Sequence, residues 1–146
     1  MLKIYLDNCC YNRPFDDLTQ EKISLEARAI EAILRRYILK DFEIYKSMAI
    51  DFEICKIKDY NKKRQVDDLY NSINLNDIEY TQEIKQRAIK LREYNIKDMD
   101  ALHIAFAESI EVNYIITTDK QMINASKKAN LKVKVINPIE FIMEVV

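Results

Sequence analysis

Residues 98–119, DMDALHIAFAESIEVNYIITTD, decide the fold, because a helical pattern there gives way to a strand that runs into an acid. Ala101, Leu102, Ala105 and Ile110 recur at helical spacing and predict an amphipathic helix from Asp98 to about Glu111. Val112–Thr117 is a short apolar run and predicts a strand, with a further helix from about Lys120. Working outward, the same alternation fills the chain. Leu2–Leu6 predicts a buried strand, stopped by Asp7-Asn8, and residues 8–19 read as a loop. Gln20 to Lys40 places Ile23, Ala27, Ile30, Ile33, Leu34, Tyr37 and Ile38 on one face of a long helix. Phe42–Ser47 is a second strand, Met48–Lys58 and Lys62–Ser72 are helical, and Asp77–Tyr80 is a short third strand. Thr81–Tyr94 is an amphipathic helix, Leu131–Ile136 a last strand and Pro138–Met143 a terminal helical turn, where proline suits a first helical position. Strands alternating with helices predict an α/β fold, with a parallel sheet covered on both faces. No linker, repeat or low-complexity stretch divides residues 1–146, so a single domain is expected.

Composition removes several chemistries. The 146 residues contain no glycine, where average usage of about 7% predicts roughly ten. Dinucleotide fingerprints, P-loops and kinase-type phosphate covers all need glycine to bring backbone N–H groups against a phosphate, so any phosphate chemistry falls to side chains and metals. Left-handed backbone positions are expected to fall to asparagine. Net charge is −1, which argues against a broad duplex-binding surface and leaves room for a smaller site or for bound cations. Cys9, Cys10 and Cys55 have no C-x-x-C spacing and read as reduced, pointing to a cytoplasmic protein. No apolar run approaches the ~20 residues of a membrane span, and the polar Asp7-Asn8 interrupts any signal-peptide pattern.

In an open parallel sheet, ligands bind beyond the carboxyl ends of the strands, and four acids fall at such places. Asp7 follows the first strand and Asp119 follows the Tyr114–Thr117 strand. Asp100 and Glu53 lie near helix beginnings. Taken singly, Asp98 and Asp119 read as helix caps, and Asp51 and Glu53 as solvated surface. Asp7 has no evident capping role. If four carboxylates converge, two of them ~4 Å apart repel by about 4 kcal/mol at an effective dielectric of 20, so protons or a cation must intervene. An all-oxygen ligand set favours Mg²⁺ or Mn²⁺ over zinc, and such an ion activates water against a phosphodiester.

Ile4-Tyr5-Leu6-Asp7-Asn8, the Ser47–Glu53 segment, Asp100-Ala101-Leu102-His103-Ile104-Ala105 and Ile115-Ile116-Thr117-Thr118-Asp119, in that order, resemble a PIN domain over essentially the whole chain. This is the fold of many metal-dependent ribonucleases, VapC-type toxins among them. The resemblance implies a three-layer sandwich with a central parallel sheet of four to five strands. It implies Asp7, Glu53, Asp100 and Asp119 as catalytic acids holding Mg²⁺ or Mn²⁺, one ion or two, with Thr118 and Asn8 in support. Asp51 competes with Glu53 as the second acid, and helical spacing from Ser47 and Ile50 favours Glu53. It implies an endoribonuclease acting on mostly single-stranded RNA, and it admits an antitoxin protein and a homodimer as partners. The alternative is a non-catalytic module of the same fold that binds RNA or protein. An aspartate-nucleophile phosphatase is disfavoured because Cys9 stands where its second acid would be.

His103 shares a helical face with Asp100, three residues on, yet reads better as a packed histidine near the core. Arg13 suits either a phosphate contact or the surface. Lys62-Lys63-Arg64, Lys127-Lys128, Lys132 and Lys134 read as solvated faces before RNA guides, and Tyr5, Tyr11 and Phe15 as packing before base stacking. Cys9 and Cys10 have no base partner in sequence and are not expected to act as nucleophiles.

Overall fold

The computed structural model describes residues 1–73 and 75–146. Five strands form one parallel sheet: β1 (Leu2–Leu6), β2 (Phe42–Lys46), β3 (Asn76–Asp77), β4 (Tyr114–Ile116) and β5 (Lys134–Ile136). Their spatial order is β3-β2-β1-β4-β5, so the first of them in the sequence is the central one. The described residues also form eight helices: α1 (Asn8–Asn12), α2 (Glu21–Ile38), α3 (Met48–Cys55), α4 (Tyr60–Ser72), α5 (Gln82–Leu91), α6 (Asp98–Ser109), α7 (Lys120–Lys127) and α8 (Pro138–Val145). The expected α/β architecture is the one observed.

Register explains why the central strands carry no polar face. Ile4, Tyr5 and Leu6 are successive residues of β1, so they point to alternate faces, and all three are fully buried. Both faces of the sheet are therefore covered, as parallel sheets require. Ile4 pairs with Ile44 and Tyr114, and Leu2 with Phe42. On that face Phe141 of α8 packs edge-on against Phe42 and Tyr114, with ring centroids 5.6 and 5.2 Å away. Tyr5, on the opposite face, meets His103 of α6. Because every strand runs the same way, the carboxyl ends of β1, β2 and β4 lie along one edge, and Asp7, Ser47 and Thr117 follow directly from them.

Several local expectations are corrected. Residues 8–19 are not simply a loop: Asn8–Asn12 is a short helix that buries Cys10 and Tyr11, and Arg13–Phe15 is a 3-10 turn with Pro14 in its first positions. A single helical turn is too short to show periodicity. The third strand lies at Asn76–Asp77, ahead of the expected Asp77–Tyr80, because Tyr45 and Lys46 pair with those two residues. Asp98 does not cap α6: Lys97 holds the cap position, and the exposed Asp98 carboxylate pairs with Arg92 Nε at 2.7 Å. Among the described residues, the left-handed ones are Lys40, Asn95 and Glu111, so asparagine takes one of the three and charged residues the other two. Among the described residues, no helix is long and apolar enough to cross a membrane.

Arg13 turns inward rather than towards solvent. Its guanidinium reaches Asp16 at 3.0 Å, the buried Glu26 at 3.3 Å and the Thr118 hydroxyl at 2.8 Å. Asn137 Nδ2 also donates to Glu26, and Lys62 pairs with Asp16. One buried carboxylate on α2 is thereby tied to the turn after β4 and to the start of α8.

Candidate metal centre

Asp7 sits where β1 ends and α1 begins, and it does cap α1: its Oδ1 accepts from Asn8 N at 2.8 Å. Only 4% of the residue is exposed. Its other oxygen accepts from the Thr117 hydroxyl at 2.8 Å, with the Cys9 thiol at 3.4 Å. Thr117 comes next after the Leu6–Ile116 pair and so stands beside Asp7 on the adjoining strand. The same hydroxyl accepts from Asp119 N at 3.1 Å, tying two of the acids together.

Glu53, on α3, extends its half-buried carboxylate to His103 Nε2. Asp51 points elsewhere, accepting from the Tyr70 hydroxyl at 2.7 Å. Asp119 caps α7, its Oδ1 accepting from Gln121 N and Met122 N at 2.9 and 3.3 Å. Asp100 lies on the first turn of α6, half-buried. Its carboxyl is held up to about 6, first by burial and then by the negative charge of Asp7 and Asp119, with Glu53 adding to it and His103 opposing. Asp100 thus feels the other three acids as neighbours.

His103 is fully buried at the centre of the group. Nε2 lies against Glu53 and 3.4 Å from Asp7 Oδ1. Nδ1 is 2.6 Å from the Tyr5 hydroxyl, which is 2.6 Å from Ser47 Oγ. Burial alone would lower the pKa of this imidazole, but Asp7, Glu53 and Asp100 together raise it above the ordinary value. One ligand atom each from Asp7, Glu53 and His103 fall within 4.8 Å of one another, a grouping able to hold a metal ion.

The two supporting residues are placed differently. Asn8 touches Asp7 through its backbone N–H, and the Thr118 hydroxyl is taken by Arg13. Thr117, not Thr118, meets an acid. The pattern of the sequence does not single Thr117 out; the strand register does. His103 was signalled by its spacing from Asp100, but a histidine on an apolar face is more often a packed one. Cys9 has a thiol beside Asp7, while Cys10 is buried against the Ile116 carbonyl and all three cysteines are free. A cavity of about 480 Å³ lies elsewhere, beside the Arg87–Glu108 ion pair, and contains none of the four acids.

Comparison with known proteins gives the same architecture. A family model described as PIN domain matches residues 15–128, a span holding Glu53, Asp100 and Asp119 and beginning after Asp7. No curated protein sequence matches. VapBC2 from Rickettsia felis, solved bound to a promoter DNA fragment, is similar with a TM-score of 0.63 at 14% identity, covering 93% of this chain and 98% of that one. A toxin–antitoxin complex from Klebsiella pneumoniae gives 0.58 at 19% identity, covering 92% and 97%. VapBC-1 from nontypeable Haemophilus influenzae gives 0.56 at 14% identity, covering 94% and 98%. At such identities the likeness is one of fold.

Proposed function

This chain belongs to the PIN domain family, and from that premise we propose that it is a metal-dependent endoribonuclease that hydrolyses phosphodiester bonds of mostly single-stranded RNA. The observation that carries the reading is the gathering of Asp7, Glu53 and His103 within 4.8 Å, with Asp100 close enough to feel the charge of Asp7 and Asp119. The residues fit a divalent cation. Burial first, and then the negative charge of Asp7 and Asp119, raise the pKa of Asp100, and a cation would offset that charge.

Asp7, Glu53, Asp100 and Asp119 are the residues that would hold the ion, Mg²⁺ or Mn²⁺. When bound, it supplies a lowered pKa for an attacking water and a counter-charge for the phosphate. The chain's own share is to fix positions. Thr117 locks Asp7 to the turn carrying Asp119. The two N–H groups at the start of α7 hold Asp119, and the Arg13–Glu26 tie fixes the Thr118 turn beside it.

The solved relatives are toxin–antitoxin complexes. That likeness supports a toxin role, with a small antitoxin protein as partner. The test is cleavage of single-stranded RNA in Mn²⁺ by the wild type, Asp7→Asn and Asp100→Asn. Each variant should stay folded and lose at least about a hundredfold in rate, the scale of a lost transition-state contact. Cleavage at the wild-type rate by both overturns the assignment.

A further inference from the structure

We propose that the groove between α2, α7 and the start of α8 is a binding site for the backbone phosphates of a single RNA strand. Lys22, Lys120 and Lys127 hold the strand there and lead it to the acids. The inference deepens the nuclease reading, because the groove begins beside Asp119. It is a cavity of about 380 Å³, lined by those three lysines together with Asn124 and Glu140. Three ammonium groups thus share it with one carboxylate.

The arrangement follows from helical spacing. Lys120, Ile123, Asn124 and Lys127 fall at i, i+3, i+4 and i+7, so they share one face of α7. At 1.5 Å per residue, the two lysines on that face stand about 10 Å apart along the axis. A single small anion cannot bridge such a span, whereas a chain of phosphates can follow it. Direction comes from Asp119, which caps α7 and immediately precedes Lys120, so the cationic face runs away from the acids along the helix. In the sequence Lys127 reads as part of a solvated face; only the folding of α7 beside α2 brings Lys22 opposite it.

Two further observations set these lysines apart. Among the described residues, Lys46, Lys62, Lys63 and Lys134 pair with carboxylates, while Lys22, Lys120 and Lys127 do not. Their charge is left for a ligand. Lys22 and Lys120 also lie in the first turns of α2 and α7, where the helix dipole favours acids and disfavours cations. Both are exposed, so packing gives no return for that unfavourable placement. A polyanion in the groove would.

The test is fluorescence anisotropy of a labelled oligouridine 12-mer with the full chain, in chelator, where no metal-dependent cleavage occurs. The double variant Lys120→Gln/Lys127→Gln should bind at least about fivefold more weakly and reduce the slope of log K against log salt by about 1.4; Lys22→Gln should reduce it by about 0.7. The control pair Lys85→Gln/Lys90→Gln, exposed on α5, removes the same charge and should change affinity by less than about twofold. Thermal melting of the α7 pair should be no lower than wild type, since a cation leaves a first turn. Equal losses from the α5 and α7 pairs, or an unchanged salt slope, overturn the proposal. So does polyglutamate binding as tightly as oligouridine, which would make the groove a docking face for acidic protein. Cleavage in Mn²⁺ keeps the two readings apart. The α7 pair should raise KM at least about fivefold with kcat within about threefold of wild type, and a fall in kcat alone counts against the groove. Lysine-dependent binding without any cleavage sinks the nuclease alone, and cleavage with wild-type binding by the α7 pair sinks the groove alone.

Discussion

Asp100 carries the clearest record of crowding among the acids. In the metal-free protein its carboxyl holds its proton up to about 6, whereas the unfolded chain releases it near the ordinary 3.8. Between those values the folded state binds more protons, so this group lowers stability as pH rises from about 4 to about 6. Asp100→Asn should remove that part of the slope. At neutral pH, in chelator, it should melt about 3 °C higher than wild type, for roughly 1 kcal/mol after screening by solvent. Melting both proteins from pH 4 to 7 checks this, and parallel curves would contradict it. Thr117 acts in the opposite sense. Its buried hydroxyl serves both Asp7 and Asp119 N, so Thr117→Val should cost about 1–3 kcal/mol, read as a lower urea midpoint with an unchanged slope. The four acids were legible as residues, from their order at predicted strand and helix ends. Thr117 and the central place of His103 were not, because both follow from which strands lie side by side.

At the scale of elements, the strands and long helices were readable because hydrophobic spacing is a local property. Residues 21–38 of α2 and 98–109 of α6 fall within the predicted spans. What escaped was short or set by a partner: α1 is a single turn, and β3 is defined by pairing with β2. The absence of glycine also has a cost at element ends. Lys40 and Glu111 follow the ends of α2 and α6 at φ 65° and 57°, a region that disfavours side chains with a Cβ. Lys40→Gly and Glu111→Gly should each stabilise by about 0.5–1 kcal/mol, after allowing for the extra freedom glycine brings to the unfolded chain. Asn95→Gly, at φ 63°, should change little, since asparagine tolerates that conformation. Thermal melting in chelator compares the three, and equal effects at all three positions would refute the explanation.

Across the whole molecule, the sheet is held by contacts between distant parts of the chain. Phe141, fully buried near the C-terminus, packs on Phe42 and Tyr114 from two strands. Phe141→Ala should cost about 3–5 kcal/mol, measured by urea unfolding, and a loss below about 1 kcal/mol would show that α8 is not part of the sheet's seal. The α/β class could be read from alternation alone, while the strand order required the structure. That order also bears on how the protein is made. The earliest of these five strands in the sequence is central, and the Thr117 that bonds Asp7 follows 110 residues later. At about 5–20 residues per second, β1 waits roughly 5–20 s on the ribosome for that partner. Asp100 and Asp119 emerge in the same later interval, so the pocket cannot assemble until long after Asp7 has been made.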